Sequence, residues 1–229
     1  LHAEMKDLLF CLVPLKNPVD HGSVSSSYVN LRGLIALSHS DDAVLQAETL
    51  IHEFCHQKMN QMLVVDEILL PGQGGQVFYS PWRPDARRLR GLLLGAHAFL
   101  NVARYLATSL SRETYPEDQH IELMVNVALR LEQVEAALKA LNGYGSFTEF
   151  GGRFLLGMWR ELAMLRHAVL WFPPALLKEQ SDAAAAHRRK YALGDTGFYK
   201  NAAHVDKVAR AAFLEPKADA AADAAKRAA

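Results

Sequence analysis

The sequence predicts a mainly α protein with a small N-terminal β-hairpin or sheet, on three observations. Short apolar or alternating runs occupy residues 8–14 and 28–37, near the N-terminus. From residue 43 onward, long stretches carry apolar residues at helical spacing. Half of the 229 residues are hydrophobic, so the chain is long enough to bury a sizeable core.

The two N-terminal runs are separated by Asn, Pro, Asp, Gly and Ser, which are typical of a loop between strands, so the runs could pair. Residues 40–42 (Ser-Asp-Asp) are good N-cap residues, and they predict the start of a helix whose apolar positions continue to Leu63. Pro71 and Gly72 then break the chain, and residues 76–83 are expected to form a short extended piece.

Further helices are predicted where apolar residues recur at helical spacing before Gly or Pro. They cover residues 84 to about 111, 116–141 with a stop at 142–143, 148 to about 171, and 175–193. After Gly194 the chain becomes rich in Ala, Asp and Lys. We therefore expect one domain over residues 1–193 and an Ala-rich tail over 194–229 that frays from Glu215.

Charge and hydropathy argue against two kinds of partner. The chain has 25 basic and 25 acidic residues, so it lacks the surplus of Lys and Arg that binding to nucleic acid needs. Its longest apolar stretches fall short of the roughly 20 residues that a bilayer span needs, so no membrane association is expected. Cys11 and Cys55 are the only cysteines, and no signal-peptide pattern is visible, which favours a reducing cytoplasm.

The motif His52-Glu53-Phe54-Cys55-His56 is the strongest candidate for a functional site. His52 and His56 lie one helical turn apart, about 40° around the axis, so both imidazoles can bind one metal ion. The alternative is a chance pair on an amphipathic helix. The usual assignment of this motif is a zinc hydrolase in which Glu53 acts as the general base.

A metal site of this kind needs a third protein ligand. His97 is a candidate because it lies in an apolar stretch between small residues, and a buried imidazole needs a polar partner or a metal. The alternative is a core histidine bonded to a carboxylate or carbonyl group. Asp66 and Glu67 are the nearest downstream carboxylates, but at the end of the same helix they are more often solvated.

Three segments together resemble the HExxH-motif domain found in bacterial peptide-modification clusters. They are residues 48–56 with the motif, 79–85 with Pro81-Trp82-Arg83, and 90–99 with Gly95-Ala96-His97. The resemblance runs from about residue 8 to 193. It implies an iron(II)- and 2-oxoglutarate-dependent oxygenase of the bacterial cytoplasm, which uses dioxygen to hydroxylate a side-chain β-carbon of a ribosomally synthesised precursor peptide.

The resemblance also implies roles for individual residues. His52 and His56 would be metal ligands, with His97 as the third ligand. Arg83 would bind the far carboxylate of 2-oxoglutarate, because a guanidinium group matches a carboxylate bidentately. Arg87, Arg88 and Arg90 are competitors for that role. Glu53 or Asp66 remains possible as a ligand or as a partner of a ligand.

Three functions therefore stay open: the iron oxygenase, a zinc metallopeptidase with Glu53 as catalytic base, and a binding module that delivers peptide to a partner enzyme. The intact set of His52, Glu53 and His56 argues against the third. Tyr79 and Trp82 are expected either to line a substrate channel or to pack the core. His187 and Arg188 are expected to form an exposed basic cluster; the alternative is that they approach the site from the last helix.

Overall fold

The computed structural model describes residues 1–17, 24–73, 75–112 and 114–193. Within those residues it has six helices and a three-stranded sheet near the N-terminus, so the predicted fold class is confirmed. The predicted tail, residues 194–229, lies outside the described residues. The elements in chain order are α1 His2–Leu8, β1 Cys11–Leu15, β2 Ser25–Ser27, β3 Leu34–Ser38, α2 Ala43–Val65, α3 Leu89–Arg112, α4 Glu117–Tyr144, α5 Glu149–Ala168 and α6 Pro174–Tyr191.

The sheet has β3 in the centre, with β1 parallel to it on one side and β2 antiparallel on the other. The two predicted apolar runs therefore pair, but as parallel strands that no tight turn could join as a hairpin. The second run is shorter than predicted, because Gly33 has a φ of 73° and ends a turn just before β3. Helix α1, which precedes the first run, was not predicted.

Local signals set some helix ends and distant contacts set others. Asp42 caps α2 as predicted, and its side chain accepts bonds from the N–H groups of Val44 and Leu45. Helix α3 begins later than predicted, because Arg87 pairs with Phe78 through two backbone hydrogen bonds of 2.7 and 2.9 Å. The predicted stop at residues 142–143 is wrong, since α4 continues to Tyr144.

Helix α2 belongs to two hydrophobic cores. The larger core is formed mainly by α2, α3, α4 and α5, and α2 contributes Cys55 and Met59 to it. The smaller core lies under the sheet, where Phe54 of α2 packs with Ile35 and Leu37 of β3. Helix α2 is thus fixed on both sides, which positions the histidine motif in its middle. Among the described residues, no helix is both long and apolar enough to cross a bilayer.

Candidate metal centre

The structure brings His52 and His56 together on α2. Their Nε2 atoms are 2.9 Å apart and their rings meet edge to face, with centroids separated by 4.4 Å. The Nδ1 atoms of both rings are buried and have no hydrogen-bond partner among the described residues. We call these two side chains the imidazole pair.

Both rings of the imidazole pair are held in the neutral form. Burial lowers the pKa of His52 to about 3, and the charges of His56 and Arg130 lower it further. Burial also lowers the pKa of His56; the charge of Glu53 opposes this shift and that of Arg87 adds to it. Neutral imidazole is the form that binds a metal, so at neutral pH a metal would not have to displace a proton from either ring.

The imidazole pair fits a divalent metal in chemistry and in spacing. With metal–nitrogen bonds of about 2.1 Å, two nitrogens lie about 3.0 Å apart at a right angle and about 3.4 Å apart in a tetrahedral site. The observed 2.9 Å is the length of a hydrogen bond between the two ring nitrogens, and it is close to the spacing that a shared ion requires. A metal-bound histidine usually donates its second ring N–H group to a carboxylate, a carbonyl oxygen or a water molecule. Among the described residues, neither Nδ1 atom of the pair has such a partner.

Aromatic side chains form one wall of the site. The Phe99 ring lies 4.6 Å from that of His52, and Trp82 lies 5.2 Å from Phe99. Trp82 packs so closely on α3 that a Cβ atom at Gly95 would overlap its indole ring. Trp82 and Phe99 are both packed against the large core, so of the two roles expected for Trp82 the structure shows core packing.

A polar network holds this wall in place and includes Arg130, a residue that the sequence did not single out. Arg130 bonds to Glu48 at 3.0 Å and to Gln133 at 3.1 Å, and its guanidinium carbon lies 4.5 Å above the Phe99 ring. Gln133 in turn donates to the carbonyl oxygen of Pro81 at 3.2 Å. The one hint of Arg130 in the sequence was its partner Glu48, an acidic residue one helical turn before His52.

Glu53 is buried and held by the sheet. Its Oε1 atom accepts a hydrogen bond of 2.7 Å from the Ser25 hydroxyl group of β2.

Tyr79 contacts the last helix of the domain. Its hydroxyl oxygen lies 2.8 Å from Nδ1 of His187 on α6. His187 is therefore half-buried against the 79–83 segment and does not belong to an exposed basic cluster.

The structure does not bring His97 into a ligand group with the imidazole pair. Its ring packs against Phe154 of α5, with centroids 5.7 Å apart, and its Nδ1 atom is buried without a hydrogen-bond partner. Burial lowers its pKa to about 4, and the charges of Lys58 and His56 lower it further. Across residues 1–17, 24–73, 75–112 and 114–193, no three His, Cys, Asp or Glu side chains are grouped to hold one ion. His97 as third ligand stays a prediction. Asp66 ends α2, about 15 Å along the axis from His56, which is too far for a shared ion.

Arg83 lies on the outer side of its segment. Its side chain is 56% exposed, and its Nε atom donates to Asp85 at 2.8 Å. Arg87 pairs with the same carboxylate at 3.0 Å. The cations whose charges act on the imidazole pair are Arg87 and Arg130. The role of Arg83 in binding 2-oxoglutarate also stays a prediction.

No protein-family model matches the chain, and a comparison with curated proteins finds no significant match. The site is therefore defined by its own residues: two neutral, converging imidazoles on a doubly anchored helix, beside an aromatic wall and two guanidinium groups.

Proposed function

We propose that this chain is an iron(II)- and 2-oxoglutarate-dependent oxygenase that hydroxylates a side-chain β-carbon of a ribosomally synthesised precursor peptide. The observation that carries the proposal is the buried imidazole pair, neutral and 2.9 Å apart, on a fixed helix. The reaction class comes from the resemblance of residues 48–56, 79–85 and 90–99 to peptide-modifying HExxH domains.

The reaction consumes one molecule each of dioxygen and 2-oxoglutarate. One oxygen atom converts a C–H bond of the peptide to C–OH, the other enters succinate, and carbon dioxide leaves. A bound iron(II) would supply the activation of dioxygen. His52 and His56 would hold the ion, with His97 as the third ligand that the resemblance implies. Phe99 and Trp82 would keep bulk water away from it.

Two guanidinium groups near the imidazole pair suit a dianionic oxo acid. The Nε atoms of Arg87 and Arg130 are buried and without a hydrogen-bond partner. All three guanidinium groups also have a carboxylate partner: Arg83 and Arg87 pair with Asp85, and Arg130 pairs with Glu48. Arg130 therefore joins Arg83 and Arg87 as a candidate for binding 2-oxoglutarate.

The alternative function, a zinc metallopeptidase, needs Glu53 as a base that takes a proton from water. In the structure this carboxylate accepts a bond from Ser25 and faces the sheet. The oxygenase requires no carboxylate base at this position, so the products of the reaction separate the two functions.

The test is to incubate the chain with iron(II), 2-oxoglutarate and the precursor peptide encoded beside its gene. We expect succinate and a peptide mass gain of one oxygen atom. His52→Ala and His56→Ala should abolish both products, whereas His39→Ala, which removes a histidine that is 79% exposed, should leave them unchanged. Shorter peptide fragments that form without 2-oxoglutarate would contradict the oxygenase and support the metallopeptidase.

A further inference from the structure

The His52 ring is oriented by packing against another helix. Residue 52 lies about 200° around α2 from Phe54, so it faces away from the sheet and toward α3. There its ring meets Phe99, with centroids 4.6 Å apart. A hydrogen bond at the second ring nitrogen usually fixes the orientation of a metal-bound imidazole, but within the part of the chain that the structure describes Nδ1 of His52 has no partner. Apart from His56, the ring contact that limits its rotation is the one with Phe99.

Arg130 of α4 holds Phe99 in turn. Its guanidinium carbon lies 4.5 Å from the centroid of the Phe99 ring, which is a cation–π contact. The guanidinium group is itself fixed at two of its nitrogens, by Glu48 at 3.0 Å and by Gln133 at 3.1 Å. Glu48 lies one helical turn before His52 on α2. The contacts therefore leave α2, pass through Arg130 and Phe99, and return to the same face of α2.

We propose that Arg130 and Phe99 are positioning residues, which hold the His52 imidazole in the orientation that binds the metal ion. This inference rests on the metal site of the proposed function. An aromatic ring suits the task, because it is flat, has only two side-chain torsions and is fixed here by a charged partner. The role is separate from binding 2-oxoglutarate, since it acts on the metal site before the oxo acid is present.

The charge of Arg130 allows a test by the direction of the effect. Arg130 is close enough to act on His52 through its charge, so it also repels a metal cation bound there, and the ion pair with Glu48 offsets part of that repulsion. If Arg130 acted through its charge alone, removing it would tighten metal binding. Because it positions His52, removing it weakens metal binding.

Binding of cobalt(II), used as a spectroscopic substitute for iron(II), is measured without 2-oxoglutarate. We expect Arg130→Met and Phe99→Leu each to raise the Kd for cobalt(II) about tenfold, the low end of the effect of losing a group that orients a metal ligand. The visible absorption bands of the saturated protein should change in both variants. Because Arg130 acts through Phe99, the double variant should bind cobalt(II) as Phe99→Leu does.

The matched control is Arg166→Met, which removes an ion pair of Arg166 on α5 with Glu132 and Glu135 on α4. These two glutamates lie about 140° to 200° around α4 from Arg130, so they face away from it. Arg166→Met should lower the free energy of unfolding and leave the Kd and the bands of cobalt(II) unchanged, as a purely structural effect does.

Several results would overturn the proposal: tighter or unchanged cobalt(II) binding in Arg130→Met, additive losses in the double variant, or an equal loss in Arg166→Met. Absence of cobalt(II) binding by the parent chain would overturn it too. If Arg130→Met does not fold, Phe99→Leu decides, and an unchanged Kd in that variant overturns the proposal.

The outcome is separable from that of the proposed function. If both variants weaken cobalt(II) binding but the parent chain with iron(II) forms no succinate from 2-oxoglutarate, the positioning role stands and the oxygenase reaction falls. If succinate and hydroxylated peptide form while both variants bind cobalt(II) like the parent chain, the reaction stands and the positioning role falls.

Discussion

The two cysteines should differ sharply in reactivity. Cys55 is fully buried beside His56, and burial raises the pKa of its thiol to about 12, whereas Cys11 is exposed on β1. Since the thiolate is the reactive form, we expect iodoacetamide at pH 8 to add once to the native chain, at Cys11, and twice in denaturant. Intact-mass measurement with peptide mapping checks this. Modification of native Cys55 as fast as Cys11 would contradict the packing of α2.

The ion pair between Glu48 and Arg130 should stabilise the site measurably. The two side chains are 13% and 22% exposed, so Arg130→Gln leaves a largely buried carboxylate without its charge partner. We expect a loss of about 1–3 kcal/mol in the free energy of unfolding, less than for a fully buried pair.

Urea denaturation of Arg130→Gln, Glu48→Gln and the double variant measures this coupling as a double-mutant cycle. The matched control is Arg153→Gln, whose partner Glu149 is exposed on α5 and which should cost nothing measurable. Equal losses in Arg130→Gln and Arg153→Gln would mean that the Glu48 pair is as well solvated as a surface pair.

How far the site could be predicted depends on whether its residues share a helix. Residues 52 and 56 converge through helical spacing alone, so the imidazole pair followed from the sequence. Phe99 and Arg130 reach it from other helices, and no local pattern reports such contacts. His97 and Phe99 are two residues apart, about 200° around α3, so the rotation of α3 decides which one faces the pair. The structure turns Phe99 toward it.

At the scale of elements, composition and periodicity predicted helices α2 to α6, but not helix α1, the start of α3 or how the strands pair. The start of α3 depends on the backbone pairing of Phe78 with Arg87, and β1 pairs with β3 across the part of the chain that contains β2. Both are tertiary contacts. The N-caps of α2 and α5 are local, and both start within a residue of the predicted position, at Ala43 and Glu149.

Replacing each of two helical glycines, Gly95 and Gly157, by alanine tests how these elements pack. Gly95→Ala would force Trp82 away from α3, and overpacking of this kind costs about 1–3 kcal/mol. Gly157 lies exposed on α5 with open space around it, so Gly157→Ala should instead stabilise the chain by about 0.5–1 kcal/mol. Thermal unfolding measures both, and tryptophan emission should shift in Gly95→Ala alone. A stabilised Gly95→Ala would show that Trp82 does not pack on this helix.

At the scale of the whole molecule, α2 connects the sheet to the helical core. Phe54 belongs to the small core, Cys55 and Met59 to the large one, and the imidazole pair lies between the two on the same helix. Local opening at the site would therefore disturb both cores. A metal that binds the pair would stabilise the packing of the entire domain.

This coupling predicts that metal binding raises the melting temperature. At a free metal concentration 100 times Kd, the native chain gains about 2.7 kcal/mol, which is roughly 5–10 °C for a domain of this size. We expect iron(II) under anaerobic conditions to give this shift relative to chelated protein. His52→Ala and His56→Ala should each remove it and His39→Ala should keep it, because His39 is exposed outside α2. A reduced shift in His97→Ala would identify His97 as the third ligand. An equal shift in every variant would mean that the metal binds elsewhere.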